Sequence, residues 1–187
     1  MNFLLIILGL IVVLAIFIIG IYNRLVGLRQ TTNQAWSDIE VQLKQRHDLV
    51  PNLVNTVKGY AKHEKTTLNG VIEARNAAVK AGSVGDTAQA EGMLSQALGK
   101  LFALAEAYPD LKANTNFLQL QDQLADIENK IAAARRFYNN SVQEYNTGRE
   151  QFPANLLAGS FGFKERDFFE SAEGRETLEV TPDVNFE

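Results

Sequence analysis

Three patterns of apolar and polar positions follow one another along the chain. The first is residues 3–22, FLLIILGLIVVLAIFIIGIY, which hold no charge and no proline; sixteen of the twenty are Leu, Ile, Val or Phe. At about 1.5 Å per residue this run makes a helix of roughly 30 Å, the thickness of a bilayer's hydrocarbon core. Insertion of such a run is favoured by about 5 to 10 kcal/mol. A cleaved signal peptide would have a basic start, a shorter apolar run and a small-residue cleavage site. Here no Lys or Arg precedes Arg24, and Ile21-Tyr22-Asn23-Arg24 offers no such site. With no Cys there is no lipobox. The pattern predicts a retained single-pass anchor over residues 1–23.

The second pattern has a period of 3.5 residues. Trp36, Leu43, Val50, Val57, Glu64, Val71 and Ala78 fall at steps of seven. Three residues on lie Ile39, Arg46, Leu53, Tyr60, Thr67, Ala74 and Ala81, and eleven of these fourteen positions are apolar or aromatic. Such a seam predicts a long bundle helix from Thr32 to Ala81, kinked at Pro51, with a break there as the alternative. Gly82 to Asp86 read as a loop, with Asp86 or Thr87 capping a helix to Ala107. Its apolar face is Met93, Leu94, Ala97, Leu98, Leu101, Phe102 and Ala105. Pro109-Asp110 makes a turn, and Asn114 or Thr115 caps a last long helix. That helix carries Phe117, Leu120, Leu124, Ile127, Ile131, Ala134, Tyr138 and Tyr145 on one seam, with Ser141 as its polar member. Long helices joined by short loops predict an antiparallel bundle over residues 24–151.

The third pattern is irregular. Residues 152–163, FPANLLAGSFGF, suit a loop or short helix returning over the bundle. The end, Val180 to Phe186, alternates as an extended segment does. The expected fold is therefore all-α: one N-terminal transmembrane helix, an antiparallel long-helix bundle, and an irregular or extended tail over 152–187.

Charge sharpens this picture. Residues 24–163 carry 15 basic and 14 acidic side chains, whereas 164–187 carry 3 and 8. No basic patch stands out, so nucleic acid is not an expected partner. Arg24 and Arg29 follow the span and only the α-amino group precedes it. The positive-inside rule then places the C-terminal domain in the cytoplasm, with the periplasmic or extracellular orientation as the alternative.

Candidate chemistry is sparse. Arg46 and Glu64 interrupt the apolar seam. They read as a polar site within the bundle or, more simply, as an ion-pair layer that fixes helix register, with Glu128, Arg135 or Glu106 as partners. Glu64 is expected to be partly buried and paired with a basic residue on another helix. His47 and His63 lack the spacing of a zinc helix, and Glu-x-x-His pairs are missing. Tyr108 to Asn114, with Asn116, suit a loop held by Asn and Asp side chains. Asn129, Asn139, Asn140 and Asn146 lie near the last seam, where amides can bond between helices. Gly59 and Gly70 could mark tight helix crossings. Ser95, Ser141 and Ser160 sit in no nucleophile motif. No catalytic, cofactor-binding or metal-ligating residue is assigned.

Four stretches together resemble the LemA family of bacterial membrane proteins. They are Ala35-Trp36 with Ile39 and Val41-Gln42-Leu43; Arg46 to Val54 running on to Val57-Lys58-Gly59-Tyr60 and His63-Glu64; Tyr108 to Asn114 with Phe117; and Glu128-Asn129, Ile131, Ala134-Arg135, Tyr138-Asn139, Val142, Tyr145-Asn146 and Phe152-Pro153. Val184-Asn-Phe186 also resembles the family's ending. The resemblance implies a single membrane helix followed by a helical bundle, in a family without assigned catalytic residues or cofactor.

The function expected on these grounds is a non-enzymatic scaffold in the bacterial inner membrane. Its expected partners are the bilayer, further copies of itself in a homo-oligomer, and other envelope proteins. The alternative is a sensor or adaptor that regulates a membrane protease or signalling enzyme; a hydrolase using bundle carboxylates is a weaker third. Phe161, Phe163, Phe168, Phe169 and Phe186 either fold back on the bundle or bury against a neighbouring copy.

Overall fold

A computed structural model describes residues 2–170 of the chain. It contains six helices: α1 (Asn2–Tyr60), α2 (Lys65–Lys80), α3 (Val84–Ala105), α4 (Pro109–Lys112), α5 (Thr115–Glu150) and α6 (Ala154–Ala158). No strand occurs among the described residues. The fold is all-α with an apolar N-terminal helix. Two compact units are formed. One comprises residues up to 39 with 134–167, and the other comprises 40–133 with the segment from 168. The helices α1 and α5 contribute to both. The alternating tail end, Val180 to Phe186, lies outside the described residues.

In the first unit, α1 and α5 run antiparallel. Leu28 lies against Gly148, Thr32 Oγ1 donates to the Ser141 carbonyl at 3.2 Å, and the Trp36 ring sits 5.4 Å from that of Tyr138. As numbers rise on one helix they fall on the other. Gly148 leaves room for Leu28 at the crossing: a Cβ there would lie 2.7 Å from Leu28 Cδ1, and that side chain would have to shift. Gly59 and Gly70, expected at tight crossings, instead face open space. Beyond the crossing, Leu25, Tyr145, Ala154, Ala158 and Phe163 form a small core that joins α1, α5 and α6.

The second unit holds the larger core. Val50, Leu53, Val54 and Val57 of α1 meet Leu68, Val71 and Ala78 of α2, with Leu94, Leu98 and Leu101 of α3. Leu111 of α4 and Phe117 and Leu124 of α5 complete it. Each of these side chains contributes about 1.5–3 kcal/mol when fully buried, if it is as large as Val or Leu.

The long helix expected from Thr32 to Ala81 is placed differently. It begins in the anchor, passes through Pro51 and ends at Tyr60. The chain turns at 61–64, where Glu64 N–H donates to the Ala61 carbonyl at 3.2 Å. Burial explains the break. The turn folds Leu68, Val71 and Ala78 back onto the core that Val50, Val54 and Val57 already line. A straight helix would carry them past it. Pro51 is tolerated because it is exposed and because its missing donor is replaced. A helical residue 51 would donate to the His47 carbonyl, and here Arg75 Nε of α2 donates to it at 2.8 Å.

Smaller differences follow from capping. The cap of α3 is Ser83, whose hydroxyl accepts from Asp86 N–H at 3.0 Å, so the helix starts before Asp86 and Thr87. Met93, assigned to the apolar face of α3, is 51% exposed, and the buried face runs instead through Ala88, Glu91, Leu94, Leu98 and Leu101. Pro109 opens the one-turn helix α4 rather than a simple turn, at a position where its missing N–H costs nothing. Asn114 caps α5, its Oδ1 accepting from Phe117 N–H at 3.0 Å.

Candidate functional site: a buried charge cluster and a main-chain clamp

The polar chemistry inside the second unit centres on Arg46, which is 2% exposed. Its seam position on α1 points it at α3 and α5. Nη1 lies 3.0 Å from Glu91 Oε2, and Nη2 lies 2.8 Å from Glu128 Oε1 and 2.7 Å from Ser95 Oγ. His47, the next residue, places Nε2 2.6 Å from the other Glu91 oxygen. An ionised carboxylate only accepts, so Nε2 carries the proton in this contact. Arg46 brings one positive charge and the glutamates two negative ones. With a neutral imidazole the cluster is therefore one charge negative, and with a protonated one it is balanced.

Beside the cluster is a cleft of about 380 Å³, lined by Arg46, Ser95, Glu128, Leu98, Phe102, Gln121 and Leu124 among others. The wall offers a guanidinium and a carboxylate already paired with each other. A buried charge left alone is costly, whereas one held by several partners is compensated. The arrangement locks α1, α3 and α5 in one register. Arg46 and its partner Glu128 were legible in the sequence. Glu91 and Arg75 were not singled out, and Ser95 was weighed only as a nucleophile. Glu91 carried a signal, since it interrupts the α3 seam at Ala88, Leu94 and Leu98 as Arg46 interrupts that of α1.

Glu64 does not join this cluster. It is half-buried, as expected, but it stands at the turn before α2 and accepts from the Tyr108 hydroxyl at 3.4 Å. The expected basic partner is thus replaced by a phenol, because the helix break moves residue 64 off the seam of α1. Burial, and then the Glu64 charge, push the Tyr108 phenol above its ordinary value. Next to it Asn114 Nδ2 donates to Tyr60 Oη at 2.9 Å, tying the start of α5 to the end of α1. Glu106 pairs with Lys112 on the surface. His63 is exposed in the turn. Among the described residues, no three acidic or histidine side chains are placed to hold a metal ion.

In the first unit, α5 holds the segment after α6 as a clamp. Tyr145 Oη donates to the Lys164 carbonyl at 2.8 Å and Tyr138 Oη to the Asp167 carbonyl at 2.9 Å. Between them Asn146 makes two bonds to Arg166: Nδ2 donates to its carbonyl at 2.9 Å, and Oδ1 accepts its N–H at 3.1 Å. Burial raises the Tyr138 phenol above its ordinary value, against the nearby Arg166 charge. Of the amides assigned to the seam, Asn146 is buried and Asn139 half-buried, while Asn129 and Asn140 are exposed. Of the tail aromatics, Phe163 and Phe169 are each 2% exposed, and Phe161 is 44% exposed. Phe186 lies outside the described residues.

The residues of the clamp and of the Arg46 cluster are largely those on which the family resemblance rests. The match to the LemA family covers residues 35–186, most of the chain. The chain belongs to the LemA family. Among its relatives, Magnetosome protein MamQ 2 of Paramagnetospirillum magneticum is 26% identical over 189 residues, spanning 87% of this chain and 70% of that protein. Magnetosome protein MamQ of Magnetospirillum gryphiswaldense is 25% identical over the same shares of the two chains. Protein LemA of Metamycoplasma hominis is 26% identical over 157 residues, 83% of this LemA-family chain and 71% of its own. None of these names carries a reaction. The apolar run 3–22 precedes the matched region, and α1 there is long and apolar enough to cross a membrane, with none of that window buried inside the fold.

Proposed function

We propose that this LemA-family protein is a membrane-anchored helical scaffold that self-associates and presents its surface to other envelope proteins. The observation that carries this reading is the continuity of α1 from Asn2 to Tyr60. One unbroken helix is both the candidate span and the first element of the bundle, so no loop separates the two in sequence. The Arg46 cluster supports a structural role, because its charged groups engage one another across three helices. The bundle lies on the cytoplasmic side of the bacterial inner membrane in this reading, from Arg24 and Arg29 after the span, and no reaction is assigned to it.

The test is the full-length protein extracted in mild detergent and weighed by light scattering with the detergent subtracted. A mass of several chains, or a defined co-purifying membrane protein, supports the scaffold. A lone chain at every concentration, with nothing bound, sinks it. Protease added to intact spheroplasts tests the orientation: a cytoplasmic bundle stays whole until lysis.

A further inference from the structure

The geometry points to a second contact with the bilayer: the α6 turn, through Phe152, Leu156 and Phe161, lies in the headgroup boundary beside the span. This rests on the reading that residues 3–22 cross a membrane. Residues 152–163 form a stretch of twelve with no charged side chain. The stretch is held against the membrane end of α1. Ala154, Ala158 and Phe163 pack on Leu25, with Ile21 at the edge of the same cluster. The rings of Phe161 and Phe163 meet Tyr22, the last residue of the apolar run, edge-on at 5.2 and 5.6 Å. Leu25 is three residues beyond Tyr22, about 4.5 Å along the helix axis. That is less than the ~5–10 Å to which interfacial helices bury their apolar faces.

With Ala154 and Ala158 turned inward, the large apolar groups of the turn face out. Phe152 is 80% exposed, Leu156 67% and Phe161 44%. Water contact for three such side chains is unfavourable, and the turn that carries them packs on the end of the candidate span. The basic groups are placed as an interface requires. Arg29 sits over the Phe163 ring at 5.0 Å, and Arg24 and Lys164, near it in sequence on α1 and after the turn, are exposed. Tyr22, at the end of the apolar run, is of the type enriched at a membrane boundary.

The test uses full-length protein in liposomes made with lipids brominated near the carbonyl end of the acyl chains. In a Trp36→Phe background, a single tryptophan is placed by Phe152→Trp, Leu156→Trp, Leu14→Trp or Phe137→Trp. Phe152, Leu156 and Phe137 are exposed, so the substitutions disturb little packing. The expected result is that tryptophan at 152 and 156 loses most of its emission and that at 137, on α5, keeps it. Quenching at 14 in lipids brominated at mid-chain, with none at 152 and 156, overturns the inference and leaves the span standing. No quenching at 14 either overturns the span and the inference together. Equal quenching at 137 and 156 also overturns it, since the patch would then have no special depth.

Discussion

Arg75 supplies to His47 the hydrogen bond that Pro51 withholds. Its Nε donates to the His47 carbonyl at 2.8 Å, across from α2 to α1. This makes a proline inside a long helix compatible with an unbroken axis of hydrogen bonding. Arg75→Ala leaves the carbonyl unpaired and should lower stability by about 1–3 kcal/mol. In a Pro51→Ala background the backbone donor returns, and the same Arg75→Ala change should cost clearly less. Chemical denaturation of the four proteins in one detergent, followed by circular dichroism, measures the coupling. Equal costs in both backgrounds would show that the bond does not substitute for the missing donor.

Glu91 is shared by Arg46 and His47, so its removal takes one contact from each and leaves Arg46 to Glu128 and Ser95. Glu91→Ala should destabilise the second unit by about 1–3 kcal/mol. Replacing Arg46 and Glu91 together by Met and Leu should recover most of that loss, because the carboxylate then left, Glu128, is partly exposed and can be hydrated. Thermal or denaturant unfolding of the single and double variants decides it. A double variant as unstable as the single one would mean that the pair contributes more than mutual compensation.

Tyr138 gives the fold a sensitivity to alkali. Its phenol is raised above the ordinary value of 10.0, chiefly by burial, and donates to the Asp167 carbonyl as the neutral form. A pKa higher in the folded chain than in the unfolded one means that the folded chain holds the proton longer. The contribution is therefore complete below pH 10 and is lost as pH rises through the folded value. Stability measured from pH 9 upward should fall less steeply in Tyr138→Phe than in the parent. Identical slopes would remove Tyr138 from the account.

Gly162 ends the α6 turn at φ +72°. Phe163 N–H donates to the Ala158 carbonyl at 2.9 Å and Gly162 N–H to that of Gly159 at 3.2 Å, the paired bonds of a Schellman turn. A side chain in this left-handed conformation costs roughly 1–2 kcal/mol. Gly162→Ala should lower stability by that amount and loosen Phe163, which amide exchange at 163–167 would report as faster.

The helices were legible because their seams are regular. Positions such as Val50, Leu53, Val57, Leu124 and Tyr138 are buried as the period requires. The end of α1 was not, because the same period runs on through Val71 and Ala78 whether the helix continues or folds back. Sequence spacing does not record that choice; burial in three dimensions makes it. Arg46 announced itself by breaking an apolar seam, whereas Glu91 went unread because the apolar face of α3 was taken from Met93 onward. Glu64 was assigned to the core from a period that stops at Tyr60. At half exposure and 3.4 Å from Tyr108, Glu64→Ala should now change stability by less than about 1 kcal/mol. The clamp was invisible, since the groups it grips are main-chain atoms that every residue has.

That last point has its own consequence. Tyr138, Tyr145 and Asn146 grip carbonyls and an amide of residues 164–167, and Asn146 meets Arg166 as the edge of a neighbouring strand would. A grip of this kind is indifferent to which side chains pass through it. Lys164 and Asp167, both exposed, are therefore free to vary in size and charge while the segment stays docked. The surface it displays can be rewritten without touching the hinge pins beneath.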